Sequence, residues 1–291
     1  MHKDISIFIS CRIDGNKNSA ILICLQRIFE NAANPSSVEV LIKFDDDDSG
    51  VAKVLEELKT KPYFENIRYI FAPRWGGYSD LHKAYNALLE IVNPESRIYW
   101  IVSDDAEIMC KGWDKLIMDK VDIFADGIFV MHGSPLVKMG KKTMLEAIEK
   151  CDPYPIWSKK WIRAAGSFGE TFSTDGLSSI LERELFNRYG LDRRIFIPQL
   201  DITRHTRAED FGNSVKWDVK RKAGIDHMMG DDFRPRFDKM VDEIYKQTSK
   251  SVRADINKLI NSFYSNRYYK KINKKIRRAN RKNFYPAASQ V

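Results

Sequence analysis

The residues Ile98-Tyr-Trp-Ile-Val102 form an unbroken apolar and aromatic run that stops at Ser103 and two adjacent carboxylates, Asp104 and Asp105. β-Branched and aromatic residues without polar alternation suit a strand covered on both faces, the situation of an inner strand in a mostly parallel sheet. Ligands of such sheets gather beyond the C-terminal ends of the strands, which is where Asp104 and Asp105 emerge. Two close carboxylates repel unless a cation neutralises them, and a divalent metal carrying a phosphate ligand is a common solution. A helix N-cap would use the same residues and need no ligand.

The chain around this strand has a regular rhythm. Ile5–Ser10 reads as a first strand, with Cys11-Arg12 opening a turn, and a helix comes next over 19–33 on the spacing Ile21, Cys24, Leu25, Ile28, Phe29. Asn34-Pro35 breaks that helix, and 38–44 forms a second strand that also ends in acid, at Asp45, Asp46, Asp47 and Asp48. That position favours a ligand role over a solvated turn. A helix over 51–60 leads to a third strand over 67–72. The connection Pro73-Arg74-Trp75-Gly76-Gly77 then opens a helix with Leu81, Ala84, Tyr85, Leu88 and Leu89 on one face. Two glycines let backbone N–H groups come close to an anion and Arg74 adds a fixed charge, although a structural turn fits the Gly76-Gly77 pair equally well.

Beyond the acidic pair, Gly112-Trp113-Asp114 starts a helical piece and 127–131 is a fifth strand, with His132-Gly133 falling at the sheet's edge. Residues 134–152 are polar, basic and hard to place. The segment 154–162 is an extended piece turning into a helix that stops near Gly166. Asp175 lies at or near the N-terminus of a helix over 177–189, where a plain capping role would suffice. The last strand, 195–205, ends in His205, and a lone histidine is more often structural than a ligand. Short connections and the β-α-β order predict an α/β fold, a mainly parallel sheet flanked by helices. No Gly-x-Gly-x-x-Gly or Gly-x-x-x-x-Gly-Lys-Ser/Thr motif is present, which argues against a dehydrogenase or a P-loop enzyme.

The formal net charge of +8 is unevenly spread: residues 211–291 hold 20 Lys and Arg against 8 Asp and Glu, and the rest of the chain 28 against 32. The composition therefore divides the chain into a body, 1–215, and a basic, mainly helical extension, 216–291. From Phe237 to Lys282 there is neither Gly nor Pro, and Phe237, Val241, Ile244, Thr248, Val252, Ile256, Leu259 and Phe263 recur at helical spacing. The outer face further on carries Lys270, Lys271, Lys274, Lys275, Arg277 and Arg278 with Tyr264, Tyr268 and Tyr269 interleaved, which suits an anionic partner. Nucleic acid and an acidic membrane surface both fit, as does ordinary solvated charge. No window approaches the roughly 18 apolar residues of a membrane span. With no signal-like apolar stretch near Met1, the expectation is a soluble, cytoplasmic protein. Four scattered cysteines without a Cys-x-x-Cys pair read as reduced packing residues and argue against zinc.

The strand-end acids, the Gly-Gly turn, the later aspartate and the distal histidine, in this order, resemble the GT-A fold glycosyltransferases, family-2-like, over roughly residues 4–210. Ile5–Arg12 is similar to their first strand and donor-binding turn, Phe44–Asp48, with Asp45, Asp46 and Asp47, to the second-strand acids, one of which usually holds the nucleotide base, and Ser103-Asp104-Asp105 to their Asp-x-Asp motif with Ser in first place. The resemblance implies a nucleotide-sugar donor whose diphosphate is bound through Mn²⁺ or Mg²⁺. Asp105 and His205 would then be metal ligands, Asp104 a ribose or outer contact, Asp175 the general base, with Glu170 in reserve, and Arg74 or Lys83 a partner of the leaving group. The usual Glu-Asp pair before the acceptor helix is Thr174-Asp175 here. GT-A enzymes of phage type glycosylate hydroxylated bases in DNA, and a basic C-terminal helix is compatible with that acceptor. A peripheral transferase of polysaccharide or lipid-linked glycan synthesis, its basic helix lying on anionic lipid, and an inactive nucleic-acid-binding module of the same fold are the alternatives.

Overall fold

The computed structural model describes residues 3–13, 18–76, 80–139, 142–145, 152–170, 174–205 and 230–248. In chain order the elements are β1 (Ile5–Cys11), α1 (Asn18–Asn31), β2 (Val38–Asp45), α2 (Val51–Lys59), β3 (Ile67–Ala72), α3 (Leu81–Leu89), β4 (Ile98–Ile101), β5 (Ala106–Ile108) and α4 (Trp113–Met118). They continue with β6 (Val130–Met139), β7 (Lys142–Leu145), β8 (Ile156–Ser158), α5 (Lys159–Ala165), α6 (Thr174–Tyr189), β9 (Arg194–His205) and α7 (Arg234–Gln247).

The first four strands pair in parallel in the order β3-β2-β1-β4, with Ile5 level with both Val38 and Ile98. Crossover helices cover the faces, so β2 is buried along its whole length and β1 at all but one residue. That double burial is why both read as near-continuous apolar runs. Beyond β4 the sheet reverses. β8 runs antiparallel to β4 and to β6, β9 runs parallel to β6, and β5 closes the path antiparallel to β9. β7 pairs with β6 off this path.

Local chemistry explains the helix limits. Ser158 caps α5 by accepting from the Trp161 backbone N–H, and Gly166 ends it at φ +88°, a left-handed conformation open to glycine at little cost. In α2 the buried positions Val51, Val54, Leu55 and Leu58 follow the helical repeat onto the sheet.

One expectation changes. The strand predicted over 127–131 begins at Val130 and runs to Met139 through a register shift at His132–Ser134, so part of the stretch that was hard to place is sheet. One compact unit of the chain runs to Thr248 and so includes α7. The reason is apolar burial: Phe237, Val241 and Ile244 of α7 are completely buried in the core formed with Trp161 and Ala165 of α5 and Leu181 and Leu185 of α6. Arg188 pairs with Asp238, and Tyr189 stacks on Tyr245 at 3.8 Å, which ties the exposed side of the same contact. The helix predicted to run on from Phe237 ends at Gln247, with Thr248 extended at ψ 135°. The basic, aromatic face beyond it lies outside the described residues. Phe237→Ala should lower the stability of the body by about 3–5 kcal/mol; an unchanged calorimetric unfolding midpoint would show that α7 is no part of this core.

Candidate active site

Parallel pairing brings the C-terminal ends of β1, β2 and β4 to one edge, and the polar groups collect there. Arg12, just past β1, donates to Asp45 at 2.9 Å and to Asp47 at 2.6 Å. Asp45 also pairs with the buried Lys43, so its carboxylate is shared by two cations. The Arg12 hydrogen bond holds the exposed Asp47 below the usual carboxylate pKa, and the charge of Arg74 contributes in the same direction. Arg12, Asp45, Asp47 and Arg74 are thus assembled in one cluster. Asp46 stands exposed beside it, its backbone N–H donating to Ala72 at 3.1 Å.

Asp48 is a turn residue, bonded to the backbone N–H groups of Ile13 and Gly50. These two turns touch so closely that a Cβ at Gly50 would lie 2.7 Å from Ile13 Cγ2. Above the cluster, Trp75 adopts φ +49°, and its ring centroid lies 5.0 Å from Lys43 Nζ. Gly76 donates its backbone N–H to Asp80 at 2.9 Å, and Lys83 pairs with the same carboxylate at 2.9 Å. The anion expected at this N–H is supplied, in this structure, by the chain's own Asp80. Gly77 lies outside the described residues.

On the other side of β1, Asp104 bonds to the Cys11 thiol, whose pKa burial pushes well up and the charge of Asp104 raises further. Cys24 is raised in the same way, first by burial and then by Asp104 and Asp105. Both thiols therefore stay protonated beside the acidic pair. Ser103 Oγ donates to Asp105 Oδ1 at 2.7 Å and also meets Tyr154 Oη at 2.9 Å. In the β5–β9 ladder Ala106 stands opposite Arg204, Glu107 opposite Thr203 and Ile108 opposite Ile202, and His205 is the last residue of β9. β5 was missed in the sequence because three residues are too few for a period to register. It follows the acidic pair directly and pairs with the C-terminal part of β9.

Asp175 sits in the first turn of α6, within the helix and not ahead of it. Glu170, the reserve base, forms an ion pair with Arg236 at the start of α7. Behind α6 is a buried network that the sequence pattern does not anticipate. His132, expected at the sheet's edge, is 3% exposed. Its Nδ1 lies 2.8 Å from Asp152 and its Nε2 3.0 Å from Glu182 of α6. Glu182 accepts from Ser178 at 2.9 Å, and Ser178 accepts from Trp157 Nε1 at 2.8 Å. Burial pulls the imidazole pKa down, but the charge of Glu182 and the bonds to both carboxylates outweigh it and raise it to about 10. Charged residues inside apolar runs, such as Lys43 in β2, were a readable sign of this kind of pairing.

No protein-family model and no curated protein sequence matches this chain. Solved structures do. The structure of TarS 1-349 from S. aureus in complex with UDP aligns with a TM-score of 0.54 at 15% identity, over 72% of this chain and 62% of that one. TarS of greater length gives 0.54 at 15%, with 84% and 43% covered. The mannosyltransferase PcManGT from Pyrobaculum calidifontis, in complex with GDP-Man and Mn²⁺, gives 0.54 at 10%, with 93% and 83% covered. At such identities the likeness is one of fold: the chain has the GT-A fold, a mixed, mainly parallel sheet flanked by helices.

The raised pKa of His132 has a defined sign. Its stabilising contribution is complete below its unfolded pKa near 6.5 and is lost as pH rises through about 10. Urea unfolding should show the unaltered protein losing stability between pH 7 and pH 10, by an amount on the order of a few kcal/mol beyond any loss in His132→Gln. Equal losses in the two proteins would place the proton elsewhere.

Proposed function

We propose that this protein is a metal-dependent glycosyltransferase that moves a sugar from a nucleotide-sugar donor to an acceptor hydroxyl. The observation that carries the reading is the meeting of Arg12 with Asp45 and Asp47 at the sheet edge where Ser103 also holds Asp105. Neighbours of the same fold hold UDP, UDP-GlcNAc, or GDP-Man with Mn²⁺, which supports the donor class.

A carboxylate and an imidazole are suitable donors for Mn²⁺ or Mg²⁺. Among the described residues no group of three or more His, Cys, Asp and Glu is arranged for a metal, so the remaining ligands would be diphosphate oxygens and water. The residues present fit such a cation, which would neutralise the charge of the departing diphosphate. Asp105 and His205 would hold it. Asp104, bonded to Cys11, would face the ribose or support the ligand sphere. Arg12 with Asp45 and Asp47 would border the nucleoside, Trp75 would offer an aromatic face for it, and Arg74, with Lys83 beside its partner Asp80, would supply positive charge near the phosphates.

Asp175 would act as general base in a single in-line displacement, with inversion. The acceptor oxygen forms its bond to the anomeric carbon as the carbon–phosphate oxygen bond breaks. The proton passes to Asp175, and the nucleoside diphosphate leaves. Glu170 is the weaker candidate because Arg236 already engages its carboxylate.

For the acceptor we favour a hydroxylated base in DNA. The excess of Lys and Arg in residues 211–291, with aromatics among them, supports attraction to a nucleic-acid backbone and stacking on exposed bases. A base inside a duplex would have to be flipped out to reach the transfer site.

Asp105→Ala and His205→Ala should each lose metal-dependent nucleotide-sugar binding, and calorimetry showing unchanged binding in either would remove that residue from the metal site. Asp175→Asn should keep donor binding and lose transfer by about a hundredfold or more; normal turnover would put the base elsewhere. Duplex DNA should bind with an affinity that falls steeply with salt, and hydroxymethylated DNA incubated with mixed nucleotide sugars and Mn²⁺ should gain the mass of a sugar. Binding to anionic vesicles in the absence of DNA affinity would favour a membrane-associated acceptor.

A further inference from the structure

Tyr154 is buried, with 2% of its surface exposed, and it sits where the reversed strand β8 begins. Because β8 runs against β4, the residues leading into β8 are delivered to the same sheet edge as the residues leaving β4. The Tyr154 hydroxyl meets Ser103 at 2.9 Å, and Ser103 donates to Asp105 Oδ1 at 2.7 Å. When one oxygen of a carboxylate is fixed in this way, the direction of the other is fixed as well.

The far end of Tyr154 is held just as firmly. Its backbone N–H donates to Asp152 at 2.9 Å, and its carbonyl accepts from Trp100 Nε1 at 3.1 Å. Asp152 is bonded to His132, which is bonded to Glu182 in the middle of α6. A single polar chain, half-buried at Asp105 and Ser103 and buried from Tyr154 onward, thus runs through Asp152 and His132 into the helix whose first turn carries Asp175.

We infer that Tyr154 is a positioning residue: acting through Ser103, it aims the Asp105 carboxylate at the metal–diphosphate position, and through Asp152 and His132 it braces that carboxylate against α6. This role rests on the reading of Asp105 as a metal ligand given above. Its physical basis is general: a ligating carboxylate left without its outer hydrogen bond samples more orientations and binds its cation more weakly. Ser103 replaces a third carboxylate in the Ser103-Asp104-Asp105 motif, which removes one negative charge and supplies a donor that a carboxylate does not have. The Ser–Tyr pair is the chain's own way of holding Asp105.

Tyr154→Phe removes one oxygen and leaves the ring and the backbone bonds of residue 154 in place. Calorimetry with Mn²⁺ and UDP or GDP, on the whole chain, should show nucleotide affinity in Mn²⁺ weakened about tenfold by Tyr154→Phe and by Ser103→Ala. Combining the two should weaken it no further than either alone, because they remove one shared chain of bonds. Affinity in EDTA and the thermal unfolding midpoint should stay unchanged. Tyr154→Phe binding as the unaltered protein does, while Asp105→Ala loses binding, would overturn the positioning role and leave the proposed function standing. Additive losses in the double variant, or an equal loss in EDTA, would also overturn it. Metal-dependent binding that survives Asp105→Ala, or is absent from the unaltered protein, would overturn the ligand assignment and the positioning role together.

Discussion

Everything at the candidate site depends on the parallel pairing of β1 with β2 on one side and β4 on the other. Both ladders start from Ile5, and their register sends Cys11 and Arg12 out between the acids that end β2 and the pair just past β4. Arg12 meets one set and Cys11 the other. A slip of one residue in either ladder would turn every side chain of the strand to the opposite face. With both faces of β1 buried, such a slip would put Ser6 and Ser10 where Ile5, Ile7 and Ile9 now pack. Hydrophobic burial in the middle of the sheet is therefore what places charge at its rim.

Charge at that rim is largely balanced within the protein. Asp45 is held between Lys43 and Arg12, Asp80 between Gly76 and Lys83, and Asp48 by two backbone N–H groups. Deeper in, His132 joins two carboxylates with a pKa raised to about 10 and so carries a charge at neutral pH. Removing one member of such a buried set leaves its partners uncompensated, which costs far more than the set contributes by being present. The network is better understood as a means of specifying where α6 lies than as a source of stability.

Much of the fold was legible because inner parallel strands announce themselves. β1, β2, β3 and β4 were found nearly to the residue, together with the acids that end them, since an apolar run stopping at a carboxylate is a local pattern. The region beyond β4 was harder. β5 and β8 are three residues each, and the antiparallel entry of β8 between β4 and β6 is a property of pairing that no single segment carries. For parallel strands the useful residues come after the strand, whereas for a reversed strand they come before it, so Asp152 fell in the stretch that was hard to place and Tyr154 was read only as the start of an extended piece. His132 was placed at an edge for a related reason: a histidine before a glycine does not reveal the helix that will cover it.

The distribution of tryptophans has an optical consequence. Trp100, Trp113, Trp157 and Trp161 are buried in the core, where an indole emits at short wavelength and is shielded from quenchers. Trp75 is 39% exposed and lies against the ammonium group of Lys43, itself paired with Asp45 of the strand-end cluster. Among the described residues the chain's fluorescence thus divides into a shielded, short-wavelength interior and one accessible reporter, so that an aromatic ring arriving at Trp75 would announce itself by quenching, without any label.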